Sequence, residues 1–518
     1  MLRLSDLEPY TAAETRILEE SHGGIRVSVS DGALPHDMTD ETEVRGDFLK
    51  ALLFDPEGPK LAKGLRLRGA WISGTLDLQG VKIERDISLS NCVLAGSISL
   101  LNAKLRGLYL TNVQMKSLSA DQAEFDGSLF VRGGTQVAGE ISLAGARFKG
   151  DIQICDAEIR AEGQDAIFAP QLSIDGSLFL GNYPYSDGET TLVTEGTMFF
   201  SSLRAAHDVF VSHCAIAPKE DPLLGGVFGE TEEHGRGIAL SFARAQVGGL
   251  VYLQALSVSR GVVNLAGATV ARLADEPDAE MATYPIRLDG FRYTDFSRHT
   301  TTSLKARLAW LERRPKDTPF TAQPYEQLSA VLSAMGHRTD AQAVLMRKER
   351  LMREEDRRML RNPARLALAW VVDLILRGAI GYGYKPARAL VVSLLLIEAL
   401  GLFFQKTWNA GDMAPNAAPI LISRDWIAAT ESHPDNPAAF WSQPGQAGQD
   451  FETFNAFSYA ADLLIPIVDL GQEGAWAPST SRSPLGQIGW WLRWFAKAVG
   501  WVVTALVAAA LTGVIRRD

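Results

Sequence analysis

A short phrase, Gly-x-Ile/Leu-x-Ile/Leu-x-x-Ala/Val-x-apolar, returns about every eleven residues between Leu65 and Ile159, as at residues 74–83, 96–105, 139–148 and 150–159. A unit this small cannot bury its own apolar face, so a fixed short period confines the chain to a stacked solenoid. Two pair patterns alternate within it. One is Ile/Leu-x-Leu (Ile87 with Leu89, Ile98 with Leu100, Leu108 with Leu110, Ile141 with Leu143); the other puts a small residue two before Leu or Phe (Cys92 with Leu94, Ala103 with Leu105, Ala123 with Phe125, Ala146 with Phe148). Period-two pairs broken by Gly, Asp or Asn predict very short strands and tight corners. Two units, about 21 or 22 residues, close one four-sided coil.

These residues resemble the pentapeptide-repeat type of β-helix. The resemblance implies a mainly β fold, a right-handed parallel quadrilateral β-helix over 61–300, clearest from 65 to 159. It resumes at 174–180, 238–247 and 262–270, with 181–195 and 217–236 as protruding loops. Cys92 and Cys155 then fill the narrow interior. The three cysteines, Cys92, Cys155 and Cys214, lack any Cys-x-x-Cys spacing, which argues against a disulfide framework and suits a reducing compartment. Within an N-terminal helical cap (1–60), Thr39 or Asp40 is placed to start a helix over 38–54 carrying Val44, Phe48, Leu49, Leu52 and Leu53. Leu288 to Tyr293 closes the repeat.

From Leu304 the period becomes helical. Residues 324–336 and 339–347 read as a helical hairpin turning at Gly336, and 301–365 as hairpin plus basic connector. The connector carries Arg357, Arg358, Arg361 and Arg365, which are read as facing the anionic cytoplasmic leaflet.

Nine of the eleven tryptophans stand at Trp370 or later, a bias that belongs at a membrane. An interfacial helix is expected over 366–386, broken by Asp373 and Arg377, then transmembrane helices over 387–408 and 487–518. The extracytoplasmic loop 409–486 contains a re-entrant or interfacial helix at 451–471. Basic residues flank the spans on one side, while 410–481 has only Arg424; both termini are therefore expected in the cytoplasm, in a multi-pass protein of the bacterial inner membrane. The N-terminus shows no apolar leader. Gly500, Thr504, Ala508 and Thr512 form a row of small residues suited to close helix packing, within the chain or in a homo-oligomer.

Span, short helix, Val-x-x-Gly turn and span follow the layout of two-span cation channels. Thr-Val-Gly-Tyr-Gly is absent from that turn, so potassium selectivity is not implied. Glu398, Asp462 and Asp469 are the carboxylates expected to attract cations if the module conducts. Over nearly the whole chain the layout, with Leu-Asp-Gly-Phe-Arg-Tyr at 288, Pro-Tyr-Glu-Gln-Leu at 324, Gly-Tyr-Gly-Tyr-Lys-Pro at 381 and Leu-Ile-Pro-Ile-Val-Asp-Leu-Gly at 464, resembles a family of bacterial membrane-attached repeat proteins often labelled membrane-associated oxidoreductases.

No dinucleotide fingerprint, P-loop or cysteine pair supports that label. His207, His213 and Cys214 are ligand types without an evident fourth partner. With a net charge of -10 the chain does not read as a nucleic-acid binder. The expectation is a membrane protein with no catalytic residue, metal or cofactor, whose partners are the bilayer, a cytoplasmic protein and further copies of itself. It would couple a partner or state sensed by the β-helix to a two-span, pore-forming module. A passive anchored scaffold and the oxidoreductase label are the alternatives.

Overall fold

The computed structural model describes residues 3–21, 25–161, 165–218, 237–280, 282–315, 318–385 and 387–511. It divides into two compact units, 1–345 and 346–518.

Among the described residues, two sheets of 20 and 9 strands organise the first unit. Their ladders are parallel, each strand pairing with the equivalent strand one coil away. Leu67 lies beside Leu89, then follow Leu110, Val131, Ile154, Leu180, Val211 and Leu253. All eight are buried, so one continuous apolar column replaces the globular core. Aromatic rings stack along the same direction, Phe125 on Phe148 at 4.3 Å and Phe200 on Phe242 at 5.2 Å.

The corners have their own column. Gly80, Asn102, Gln122, Gly145, Gln171, Ser202, Arg244, Gly267 and Gly290 all take a positive φ, and only a left-handed residue turns the chain this sharply between two-residue strands. At another corner Asn112 donates to Asn91 Oδ1 at 2.9 Å and Asn91 donates to the Gly32 carbonyl at 2.9 Å. The parallel stacking fits a β-helical solenoid. The loop expected at 181–195 is shorter than read, because Leu192–Glu195 forms a strand beside Ala157–Arg160. Most of the second loop, 219–236, lies outside the described residues.

Helix α1 (Ala12–Glu20) and helix α2 (Gly46–Phe54) belong to the N-terminal region. The helix expected over 38–54 begins only at Gly46. Glu43–Arg45 is instead a strand on Trp71–Ser73, which places Val44 in the apolar column beside Ile72. Arg45 is held there by the buried Glu14, through contacts of 2.9 and 2.6 Å, and Thr11 caps α1 against the same Glu14.

At the other end lie α3 (Leu304–Glu312) and α4 (Gln323–Ala334). Arg307 of α3 is fully buried: it makes a two-point contact with Asp275, at 2.6 and 3.0 Å, and lies 4.1 Å over the Phe296 ring. Gln323 and Gln327 of α4 donate to the carbonyls of Phe291 and Tyr293, satisfying last-coil acceptors that have no further strand to pair with. Gly336, with φ of 91°, leads into α5 (Arg338–Met359), within which the division of the two units falls.

The second unit continues with α6 (Pro363–Ile375) and α7 (Ala387–Asn409). After them come α8 (Ala418–Leu421), α9 (Arg424–Ser432), α10 (Pro437–Trp441), α11 (Ala456–Leu464), α12 (Gln472–Ala475) and α13 (Pro484–Leu511). Residues 409–486 are a packed element rather than an open loop. Met413–Pro415 pairs antiparallel with Trp476–Pro478, and Trp426, Trp441, Tyr459 and Trp476 share one core.

Among the described residues one helix, α7, is long and apolar enough to cross a membrane; at 23 residues it spans about 34 Å. The last residues of the second expected span, 512–518, lie outside the described residues.

Candidate functional site

Two constellations in the second unit carry polar chemistry. In the first, α11 packs against both α7 and α13. A side chain at Gly401 of α7 would strike the Phe457 ring at 2.4 Å, and one at Gly500 of α13 would strike the Leu464 carbonyl at 2.3 Å. Glycine at these two places lets the longer helices approach the short one. The small-residue row is thus divided in its roles: Gly500 faces the end of α11, Thr504 is half-buried, Ala508 is exposed, and Thr512 lies outside the described residues.

The helix expected over 451–471 is cut to Ala456–Leu464. Asn455 caps its start through Phe457 and Ser458 amides, and Pro466 follows its end. Asp462 is buried and accepts hydrogen bonds from the Leu470 and Glu473 amides at 2.9 and 2.8 Å, so its oxygens tie the following turn rather than face an open path. Asp469 is exposed and accepts from the Gly471 amide. Glu398 is exposed on α7 and, among the described residues, has no hydrogen bond or ion pair. The structure therefore gives these three carboxylates separate surroundings. Sequence reading missed Glu473, which pairs with Arg493 at 3.0 Å and with Lys497, fastening the turn to α13.

The second constellation lies between α5 and α6. Asp373, buried on α6, accepts a hydrogen bond from the Tyr382 hydroxyl at 2.9 Å, with Arg357 at 3.0 Å and Arg353 at 3.9 Å. Tyr382 reaches it because Gly381, Tyr382 and Gly383 all adopt positive φ. A non-glycine residue in this conformation is uncommon, and here the turn folds the ring back under α6. Burial, and then the hydrogen bond to Asp373, push the phenol up to about 12. The short Gly-Tyr-Gly motif is a turn around a buried carboxylate.

The four arginines expected to face lipid divide. The Arg357 side chain is only 10% exposed and lies 4.3 Å over the Trp370 ring, held beside Asp373 and Trp370. Arg358 is exposed and pairs with Glu355 at 3.2 Å. Arg361 and Arg365 are exposed but do not continue α5, which stops at Met359. The Asn362-Pro363 step breaks the helix, and the Asn362 side chain caps α6 at the Ala364 and Arg365 amides. Arg350, Glu354, Arg357, Arg358, Leu366, Trp370, Asp373 and Arg377 surround a cleft of about 340 Å³.

The solenoid offers fewer reactive groups. Burial raises the Cys92 thiol to about 11 and the Cys155 thiol to about 12, and raises Cys214 as well, so none is poised as a thiolate. Cys214 bonds inward to the Leu180 carbonyl, whereas the adjacent His213 sits at a left-handed corner 3.8 Å from Glu189, so the two do not converge. Burial, reinforced by nearby Asp165, lifts the Glu140 carboxyl to about 7, and burial lifts Asp165 to about 6.

Comparison with known protein families, with curated proteins and with solved structures finds no match to this chain.

Proposed function

We propose that the chain is a non-enzymatic, membrane-anchored β-helix protein of the bacterial inner membrane. Its repeat, right-handed and of the pentapeptide type, binds a protein partner in the cytoplasm, and the module of α7, α11 and α13 crosses the bilayer twice with both termini inside. The observation that supports this reading most is the apolar exposure of the second unit. Leu368, Trp370 and Leu374 of α6, Leu390, Leu394 and Leu395 of α7, and Trp491, Phe495 and Trp501 of α13 are each more than half exposed. So many large apolar side chains exposed on three helices are costly in water, whereas hydrocarbon and its interface accommodate them.

The test is sidedness in intact cells. Cysteine introduced at Ser432, between the two spans, should react with a membrane-impermeant maleimide from outside, and cysteine at Ser303 only after lysis. Labelling of both from one side would remove the two-span topology.

A pore is the second reading, favoured by one observation: a short helix inserted between two long ones and followed by a tied turn. Glu398 and Asp469 remain its exposed carboxylates, while Asp462 holds the turn in shape. Cation flux through liposomes carrying the purified protein tests it, and absence of flux leaves an anchored scaffold.

A further inference from the structure

We infer that the cleft between α5 and α6 binds the phosphate group of an anionic lipid. The inference deepens the membrane reading and rests on it.

Charge is the first argument. Four arginines, Arg350, Arg357, Arg358 and Arg377, face two carboxylates, Glu354 and Asp373. The carboxylates already have partners: Asp373 has Arg357 and the Tyr382 hydroxyl, and Glu354 has Arg358 at 3.8 Å. Arg350 and Arg377 are exposed and, among the described residues, have no ion pair. The cleft therefore keeps an excess of positive charge inside a chain that is acidic overall.

The second argument is an unused donor. Arg357 is nine-tenths buried, yet its Nη1 makes no hydrogen bond; it lies 3.0 Å from Asp373 but off the line that a hydrogen bond requires. A buried guanidinium proton without an acceptor costs free energy, and a phosphate oxygen entering the cleft supplies one. Arginine suits this task because its planar fork matches the spacing of phosphate oxygens.

The third argument selects the source of the phosphate. Trp370 lines the cleft and is 57% exposed, and on the adjoining face of α6 Val371 and Leu374 are exposed. An ion dissolved in water has no use for this apolar strip. A lipid whose head enters the cleft lays its acyl chains along it, and indole at the cleft mouth suits the headgroup level.

The test uses the full chain purified in a phosphate-free detergent, with lipid retention read by native mass spectrometry. Phosphatidylglycerol should be held in preference to phosphatidylcholine of equal chain length. Arg350→Gln with Arg377→Gln should weaken that retention about tenfold or more, while Arg424→Gln, an exposed arginine of α9 outside the cleft, should leave it unchanged. Displacement by millimolar inorganic phosphate would assign recognition to the phosphoryl group alone; resistance to it would assign the acyl chains a share. Equal retention of the two lipids, or no loss in the cleft variant, would overturn the inference. Should the protein be recovered without detergent in the soluble fraction, the membrane reading fails separately. Phosphate binding by calorimetry, lost or kept in the same variant, then decides the cleft.

Discussion

The two units solve the burial problem in opposite ways. In the first, each coil is satisfied by its neighbours, and among the described residues only Ile25, Met38, Tyr185, Val193 and Met335 stand out as large apolar side chains left exposed. In the second, many large apolar side chains of α6, α7 and α13 are uncovered, while two carboxylates are buried, Asp373 against arginines and Asp462 against a turn. A solenoid needs repetition and no particular chemistry. An apolar unit needs its few buried charges neutralised at specific places, so the specific chemistry gathers in the second unit.

Substitutions should respect that division. The largest effect is expected where the solenoid terminates: Arg307→Met leaves Asp275 buried without its partner, at a cost of about 3–5 kcal/mol, read as a lower thermal midpoint of the β signal in circular dichroism. Leu110→Ala in the column should cost about 2–5 kcal/mol by the same readout, since neighbours stacked above and below cannot collapse into the cavity. Gly500→Val is predicted to act on the other unit, costing about 1–3 kcal/mol through a clash with the Leu464 carbonyl; loss of the helical signal in detergent at lower temperature, with the β signal unmoved, would sharpen the comparison. A β signal that falls with it would break the separation.

A smaller effect comes from pH. Glu140 and Asp165 have folded-state values of about 7 and about 6, above their ordinary 4.5 and 3.8. The folded chain therefore holds protons that the unfolded chain releases, so this contribution is full below about pH 4 and is lost as pH rises toward about 7. On the order of 1 kcal/mol should separate pH 5 from pH 8 after allowing for solvent screening, and Glu140→Gln with Asp165→Asn should flatten the slope. The smallest effect is expected from Arg361→Gln with Arg365→Gln, about 1 kcal/mol per residue or less in partitioning to anionic vesicles.

The legibility of the chain followed the same line. Short strands and tight corners were readable because the Ile-x-Leu pairs and the interrupting Gly, Asp and Asn repeat, whereas left-handed corners at Gln122, Gln171 and Arg244 were not; α7 was readable because its apolar run is uninterrupted except at Glu398. Strand Glu43–Arg45 was hidden inside an apolar pattern that also suits a helix, and only pairing with Trp71–Ser73 decided it. Asp373 read as an interruption of an apolar helix. Its partners Arg353 and Tyr382 lie on other elements, and bringing them to it requires a Gly-Tyr-Gly turn with three positive φ values that residue types do not announce. Asp462 likewise read as a free carboxylate because the amides it accepts from come eight and eleven residues later.

The most direct measurement is extraction of membranes from cells expressing the full chain. After an alkaline carbonate wash the protein should remain in the membrane pellet and leave it only with detergent. Release into the wash, or recovery of a monodisperse protein from the cytosol without detergent, would contradict a second unit built for lipid.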